Sequence, residues 1–280
     1  MKVSIVTINY NNIDGLKRTL ASVAEQNYRD IEHIIIDGGS MDGSVDAIKK
    51  YVDANPNRDP FFKHAIKWVS EKDNGIYNAM NKGIKKATGA YVQILNSGDI
   101  FAAADVVERM VAEIEKAEYP ELLYGNMIRK NYTTGKLDGK SKEVDYSLRQ
   151  YYSSTMNHDC CYIRRDIYDK YGLYDENLKI VSDWKWFLQA IGLGKVKPEY
   201  VDIDVTIFDC SGISETNLEL RKNERRQVLE EVLPPAILAD YDKHAFDAEQ
   251  MDRLRKHHMY GVAYFIERVL FKLEKWKILR

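Results

Sequence analysis

The chain has 280 residues, of which 45% are hydrophobic, and a formal net charge of -2. This length and apolar content allow a large buried core and exclude a disordered chain, and the small net charge argues against nucleic acid as a partner, because gripping a polyphosphate backbone normally requires a strongly basic surface. No apolar run reaches the roughly 18 residues of a membrane-spanning helix, and Met1-Lys2 leads directly into a strand-like run, so we expect a cytoplasmic protein.

Short β-branched runs alternate with helical patterns through the first third of the chain. Such alternation predicts an α/β fold with a mostly parallel sheet flanked by helices. The apolar runs are continuous rather than alternating, which is typical of strands buried on both faces. The predicted strands are "VSIVTI", "EHIIID", "IKWVS" and "AYVQIL", and the predicted helices lie near 16–26, 44–52 and 76–87.

The later part of the chain changes character. A helical pattern near 105–116 precedes the strand-like run "LLYGNMIRK", and beyond Asn217 the sequence is helical and highly charged, with a break at Pro234-Pro235. We therefore predict a domain over 1–216 and a helical C-terminal extension over 217–280. The stretch 253–280 has one apolar helical face and lysines near its end, so it could dock on its own core or lie on an anionic membrane surface.

Polar residues follow the first two predicted strands. Ligands of open parallel sheets collect outside the carboxyl ends of the strands, so these junctions are candidate binding positions. "TINYNN" supplies Thr7 and Asn9, and "DGGSMDGS" supplies Asp37, followed by Gly39 and Ser40 in a turn that could expose backbone N–H groups. Ordinary turn chemistry is the alternative interpretation of the second segment.

Two further junctions carry acids. "SEKDNGIYNAMNKG" brings Asp73 to the start of a helix, where a capping role would explain it, but capping does not explain Asn81 and Lys82 two turns later. "LNSGDIF" ends a buried strand on Asp99. Hard divalent ions often take only one or two protein carboxylates together with substrate phosphates, so Asp99 could bind a metal or could cap the helix that follows.

Taken together, these segments resemble the inverting nucleotide-sugar glycosyltransferases of family 2, which have the GT-A fold, particularly the type that builds bacterial polysaccharides and O-antigens. The resemblance covers about the first 215 residues. It rests on the following segments in order: "VSIVTINYNN", "IIIDGGSMDGS", "SEKDNGIYNAMNKGI", "ATGAYVQILNSGD", "NHDCCYIRRDIYDKYGLYDENLKIVSDWKWFL" and "FDCSGIS".

The resemblance implies a site for a nucleoside diphosphate sugar and for Mn²⁺ or Mg²⁺ at the strand ends. "NSGD" stands in the place of the Asp-x-Asp metal motif, with Asn96 and Gly98 where acids are usual, so the metal role falls on Asp99 alone. Ser97 and Gly98 would approach the diphosphate. The implied nucleotide-binding residues are Thr7 and Asn9 in the pocket wall, Asp37 at the base or ribose with Gly39 and Ser40 beside it, and Asp73, Asn81 and Lys82 in the middle segment.

The resemblance also implies a catalytic base in "IVSDWKWFL", which we assign to Asp183. An inverting transfer needs a carboxylate that takes the proton of the attacking acceptor hydroxyl. Asp175 is the main alternative base, and a helix-start acid is the alternative role for Asp183. His158 aligns with a histidine frequent in this type and is assigned to orient the acceptor or to touch phosphate.

We therefore expect a metal-dependent inverting glycosyltransferase that uses a UDP-sugar and acts in surface polysaccharide synthesis. Its acceptor would be a glycan or a polyprenyl-diphosphate-linked glycan at the inner face of the membrane, with peripheral membrane contact or a homodimer contact through the C-terminal helix. A catalytically inactive sugar-nucleotide binding protein is the alternative, because the segment in the place of the metal motif has one acid, Asp99, where the family usually has more. A sugar nucleotidyltransferase is disfavoured because "NYNNIDG" lacks the cluster of Gly and basic residues that such enzymes usually carry after strand one.

Overall fold

The structure is a computed structural model that describes residues 1–55, 64–132, 134–144, 146–210, 217–256 and 260–275. It contains two compact units, Met1–Val228 and Leu229–Arg280. The predicted segment "FDCSGIS" lies outside the described residues from Ser211 onward. The predicted domains 1–216 and 217–280 stay a prediction; the division between the two compact units falls within a helix that spans Leu218–Val232.

The described elements alternate between strand and helix from Val3 to Ile94, and the later elements of the first unit are mixed in order. The strands are β1 (Val3–Asn9), β2 (Ile31–Asp37), β3 (Ala65–Ser70), β4 (Tyr91–Ile94), β5 (Ile100–Phe101), β6 (Leu122–Lys130), β7 (Leu137–Lys140), β8 (Cys161–Arg164) and β9 (Pro198–Asp209). The helices are α1 (Ile13–Ala24), α2 (Ser44–Ala54), α3 (Ile76–Lys86), α4 (Val106–Lys116), α5 (Leu148–Ser153), α6 (Asp166–Tyr171), α7 (Ser182–Phe187), α8 (Leu218–Val232), α9 (Pro235–Lys256) and α10 (Tyr260–Lys275).

The strands form one mixed sheet in the order β3-β2-β1-β4-β8-β6-β9-β5, with β7 beside β6. The first four strands of this order run parallel, and β8 joins β4 and β6 in antiparallel fashion. Every residue of β1 and β2 is buried, as their continuous apolar runs predict. The predicted α/β class, with a largely parallel sheet flanked by helices, is confirmed.

The parallel register brings the carboxyl ends of the first strands to one edge. Asn9 at the end of β1 lies opposite Asp37 at the end of β2, and Asp37 lies opposite Ser70 at the end of β3. The polar segments that follow β1, β2, β3 and β4 therefore begin at the same edge of the sheet. This edge carries the candidate site.

Helices pack closely on both faces of the sheet. On one face, α4 buries Val107, Met110 and Ile114 against a core that includes Leu123 of β6, and each such side chain contributes roughly 1.5–3 kcal/mol of burial free energy. Elsewhere α3 approaches β1 so tightly that a Cβ added to Gly83 would lie 2.2 Å from Val6 Cγ1. A glycine is therefore required there, because the absence of a side chain lets α3 pack this closely against β1.

The second unit consists of the end of α8 followed by α9 and α10. Among the helices that the structure describes, none has the length and apolarity needed to cross a membrane. α10 exposes large apolar side chains, among them Phe265 at 68% and Phe271 at 62% exposure. It also exposes the cationic Arg268 and Lys272.

Candidate active site

The turn Asn96-Ser97-Gly98-Asp99 after β4 is held by α1. The Thr19 hydroxyl donates to the Asp99 carbonyl oxygen at 2.7 Å and accepts from Gly98 N–H at 3.0 Å, and Asn12 Nδ2 donates to the Ser97 carbonyl oxygen at 2.9 Å. Gly98 has a φ of +114°, which disfavours any residue with a Cβ. Asp99 is not the cap of the next helix, because α4 begins only at Val106. The capping alternative is therefore wrong.

The Asp99 carboxyl group is buried near two other acids, Asp159 and Asp209. It is 3% exposed, and its Oδ1 accepts from the backbone N–H of Asp209 at 2.9 Å. Burial, together with the charge of neighbouring Asp159, raises the pKa of Asp99 well above its usual value. The Asp209 side chain is itself paired with Arg18 at 2.9 Å. A cation placed at Asp99 would therefore relieve electrostatic strain among these acids.

Asp183, at the start of α7, accepts hydrogen bonds on both carboxylate oxygens. Tyr77 donates its hydroxyl to Oδ1 and His158 Nδ1 donates to Oδ2, each at 2.9 Å. The other ring nitrogen of His158, Nε2, lies 3.0 Å from the side-chain amide of Asn96. Asp183 is thereby linked through His158 to the turn that carries Asp99.

The His158–Asp183 contact sets the charge of both groups. Burial opposes the charged form of the ring, but the hydrogen bond and charge of Asp183 outweigh it and raise the pKa of His158 to about 9. Burial also opposes the charged carboxylate, but the bonds from His158 and Tyr77 keep the pKa of Asp183 below its usual value. At neutral pH the pair is therefore an imidazolium beside a carboxylate, and Asp183 is ready to accept a proton.

These groups open into one cavity of about 540 Å³ at the edge of the sheet. Asn9, which also lines it, has a buried Oδ1 with no hydrogen-bond partner among the described residues. Such unsatisfied acceptors are rare unless a ligand or water completes them. The sequence-predicted residues that this cavity brings together are Asn9, Asp73, Ser97, Asp99, His158 and Asp183.

Other predicted nucleotide-binding residues lie behind this lining. Asp37 is fully buried and accepts from Asn9 Nδ2 at 2.8 Å, from Ser40 N–H at 2.9 Å and from the Ser70 hydroxyl at 2.7 Å. Burial opposes its ionisation, yet the hydroxyls of Ser40 and Ser70 keep the pKa of Asp37 low. Asp37 therefore orients the Asn9 side chain without lining the cavity itself. The predicted residues that do not line the cavity are Thr7, Asp37, Gly39, Ser40, Asn81, Lys82 and Gly98.

Three of these residues contact other parts of the protein. Thr7 is buried and its hydroxyl lies 3.0 Å from His33 Nε2. Asn81 is 2% exposed, donates to the Tyr174 carbonyl oxygen at 2.8 Å and accepts from Tyr174 N–H at 3.0 Å. Lys82 pairs with Glu71 at 2.8 Å. In this structure Asn81 fastens the segment before α7 to α3.

Sequence reasoning missed several lining residues. Tyr77, inside the segment "DNGIYNAMNKG", carries the hydroxyl that binds Asp183, and a tyrosine one residue into a helix gives no signal of that contact. Asp209 ends β9, so the rule that ligands gather at strand ends could have identified it. The alternative base Asp175 pairs with Lys185 at 2.8 Å and is absent from the cavity lining.

A divalent metal ion fits the chemistry of this turn as a partly hydrated ion. Within the described part of the chain, no group of three or more His, Cys, Asp or Glu residues is arranged to hold a metal. The oxygen ligand on offer is the Asp99 carboxylate, which lines the cavity. Mg²⁺ and Mn²⁺ accept such a sparse protein set when phosphate oxygens and water complete it.

Comparison with known proteins gives one consistent family. The profile described as glycosyl transferase family 2 matches residues 4–172. An uncharacterized glycosyltransferase of Mycobacterium tuberculosis is 34% identical over 215 residues, which is 75% of this chain and 76% of the relative. A PGL/p-HBAD biosynthesis glycosyltransferase of Mycobacterium bovis is 26% identical over 214 residues, 76% of this chain and 79% of the relative.

Solved structures agree on the fold. S. aureus TarS 1-349 in complex with UDP-GlcNAc has a TM-score of 0.64 at 18% identity over 88% of this chain and 73% of that chain. The match to the longer S. aureus TarS chain covers 43% of that chain. The mannosyltransferase PcManGT from Pyrobaculum calidifontis, in complex with GDP-Man and Mn²⁺, has a TM-score of 0.61 at 16% identity over 97% of this chain and 80% of that chain.

Proposed function

This chain belongs to glycosyltransferase family 2, and from that premise we propose that it transfers a sugar, with inversion, from a nucleoside diphosphate sugar to an acceptor hydroxyl. UDP is the expected nucleotide, and the expected acceptor is a glycan or lipid-linked glycan of a surface polysaccharide. The observation that carries the proposal is that Asp99 and Asp183, far apart in sequence, line the same cavity.

In this proposal Asp183 is the general base. Its oxygens already accept from Tyr77 and His158, but a carboxylate offers about four acceptor positions, so an acceptor hydroxyl can be added without breaking either bond. The proton moves from the acceptor hydroxyl to Asp183 while the hydroxyl oxygen bonds to the anomeric carbon. The bond from that carbon to the diphosphate breaks on the opposite face, and the diphosphate leaves with the electron pair. His158 and Tyr77 hold the carboxylate ionised and oriented until the proton arrives.

The donor would lie along the site edge of the sheet. Asn9, oriented by Asp37, presents its unsatisfied Oδ1 to the nucleotide, and Asp73 and Ser97 line the same cavity. Asp99 would hold Mn²⁺ or Mg²⁺. When bound, the ion supplies positive charge that offsets the charge developing on the leaving diphosphate.

The decisive assay measures release of nucleoside diphosphate from a panel of UDP- and GDP-sugars with Mg²⁺ or Mn²⁺, using wild type and Asp183→Asn. Asp183→Asn should lower the rate by at least about a hundredfold, because a positioned base contributes roughly 10²–10⁴. Anomeric proton coupling in the product tests inversion. Rates that are equal in the two proteins would contradict the proposal.

A catalytically inactive sugar-nucleotide binding protein remains the second candidate, favoured by the lack of a three-ligand metal group among the described residues. It predicts that calorimetry detects binding of a nucleotide sugar while no donor in the panel is turned over. Metal-dependent turnover of any donor would dismiss it.

We further propose that α10 contacts the inner membrane surface, where a lipid-linked acceptor would reside. Its exposed Phe265 and Phe271 can enter the headgroup boundary, and Arg268 and Lys272 suit anionic lipids. The fraction of the protein that sediments with anionic vesicles should fall in the double variant Phe265→Ser/Phe271→Ser. If the wild type does not bind vesicles but forms a dimer that the double variant does not form, the surface is a contact with a second copy of the chain instead.

A further inference from the structure

A lysine in the wall of the candidate cavity takes no part in the chemistry proposed so far. It is Lys179, an exposed residue four positions before Asp183. Within the described lining of the cavity, it is the one residue that carries an ammonium or guanidinium group. The other basic group of that lining, the His158 ring, is hydrogen-bonded to Asp183. Lys179 is therefore the cation that an anionic ligand of this cavity would meet.

The Lys179 ammonium does not balance charge within the described part of the protein. Among the residues that the structure describes, its side chain makes no ion pair and no hydrogen bond, although acids line the same cavity. Each of those acids accepts from or pairs with another group instead; they are Asp73, Asp99, Asp183 and Asp209. The positive charge of Lys179 is therefore available to a ligand.

The backbone of Lys179 is held in place although its side chain is exposed. The carboxylate of Glu224, which is 7% exposed, accepts from the backbone N–H of Lys179 at 2.8 Å and from that of Ile180 at 2.9 Å. Ile180 also lines the cavity and is 6% exposed. The lysine side chain therefore starts from a defined point of the wall, and its flexible four-carbon stem lets the ammonium follow a ligand or tolerate a small backbone shift.

The diphosphate of the proposed donor is the anion that the reaction must bring into this cavity. The turn 96–99 offers a divalent ion one carboxylate, Asp99, and the other acids of the lining repel a diphosphate, so much of its charge is left for another cation to offset. The cavity volume of about 540 Å³ lies in the lower half of the range for ligand pockets, so a donor that fills the cavity lies close to a lysine on its wall. A lysine that contacts the phosphates also stabilises the charge that develops when they leave.

We propose that Lys179 binds the diphosphate of the donor and offsets the negative charge that grows on it as it leaves. This inference rests on the proposed function, because it adds a residue to the same reaction. The lysine acts through its charge and its hydrogen bonds, and it transfers no proton. Its contribution should be largest when no divalent ion shares the charge of the diphosphate.

The test is calorimetric binding of UDP to the full chain, first with EDTA and then with Mn²⁺, and GDP replaces UDP if the donor panel selects it. In EDTA, Lys179→Gln should weaken UDP at least about tenfold, because a hydrogen bond between two charged groups accounts for such a factor. In Mn²⁺ the loss should be smaller but still measurable, so the test does not depend on metal-free binding. Lys179→Arg, which keeps the positive charge, should retain most of the affinity. Uridine, which has no phosphate, should bind wild type and Lys179→Gln equally.

The matched control is Lys17→Gln, which removes an exposed lysine of α1 outside the described cavity lining and should leave UDP affinity unchanged. Thermal unfolding of each variant shows whether it is folded. Wild-type affinity for UDP in folded Lys179→Gln overturns the inference, and so does an equal loss of affinity for uridine. If Lys179→Gln weakens UDP but no donor is turned over, the proposed function fails and the diphosphate contact stands. If turnover depends on Asp183 while Lys179→Gln binds UDP as the wild type does, the proposed function stands and this inference fails.

Discussion

Replacing Asp183 by Asn tests the electrostatics of the site on one neighbouring group. In the wild type, the raised pKa of His158 depends on the hydrogen bond and charge that Asp183 supplies against the opposing effect of burial. Asn keeps the size of the side chain and can still accept from Nδ1, but it carries no charge. We therefore expect the pKa of His158 to fall from about 9, because the opposing effect of burial is then met only by the charges of Asp159 and Asp99.

The magnitude follows from the size of the shift. A pKa raised from 6.5 to about 9 corresponds to about 3 kcal/mol of preferential interaction with the protonated ring. Because the folded pKa is raised, this stabilisation is complete below pH 6.5 and is lost as the pH rises through 9. The Asp183 contribution has the opposite sense: its folded pKa is lowered, so it is present above pH 3.8 and is lost on acidification.

The assay is a ring-proton NMR titration of the histidines in wild type and Asp183→Asn. The chain has 6 histidines, so a His158→Gln sample identifies the relevant signal. Urea unfolding at pH 6 and pH 10 measures the stability term, which should shrink between the two pH values in the wild type and much less in Asp183→Asn. A His158 signal that still titrates near pH 9 in Asp183→Asn would refute the reasoning.

Three further substitutions probe the groups that support the two carboxylates. Tyr77→Phe removes a hydrogen-bond donor to Asp183, so the acidic limb of the pH–rate profile should move to higher pH by about one unit. The control is Tyr174→Phe, which removes a hydroxyl that faces Tyr168 and should leave that limb in place. Thr19→Val removes the hydroxyl that holds the Asp99 turn and should lower the free energy of unfolding by about 1–3 kcal/mol in urea; stability equal to that of Thr19→Ser would contradict this. The Glu224 carboxylate accepts from the backbone N–H groups of Lys179 and Ile180 at 2.8 and 2.9 Å, and Glu224→Gln weakens this acceptor. We expect kcat to fall while the affinity for the donor stays unchanged. Glu219→Gln, at an exposed position of the same helix, should leave kcat unchanged.

Local patterns predicted the framework well. The run "LLYGNMIRK" corresponds residue for residue to β6, and "VSIVTI" and "EHIIID" lie within β1 and β2, because continuous burial on both faces leaves a sequence signature that needs no partner to be recognised. The rule for strand ends then located the edge where Asp99 and Asn9 lie.

Contacts between distant segments escaped prediction for a physical reason. Asn81 appears in a polar helical motif, yet its amide binds the backbone of Tyr174, and only the fold decides which polar neighbour a buried amide meets. The same holds for Tyr77, whose partner Asp183 is far along the chain. Residue type and spacing indicate chemical capacity, whereas pairing depends on tertiary packing.

The position of Glu224 has a practical consequence for shortening this protein. Its carboxylate, supplied by α8, ties down the backbone just ahead of the proposed base. A fragment that stops after the last strand of the sheet would retain every cavity-lining side chain that the structure describes and still lose that tether. Any minimal catalytic version should therefore keep α8.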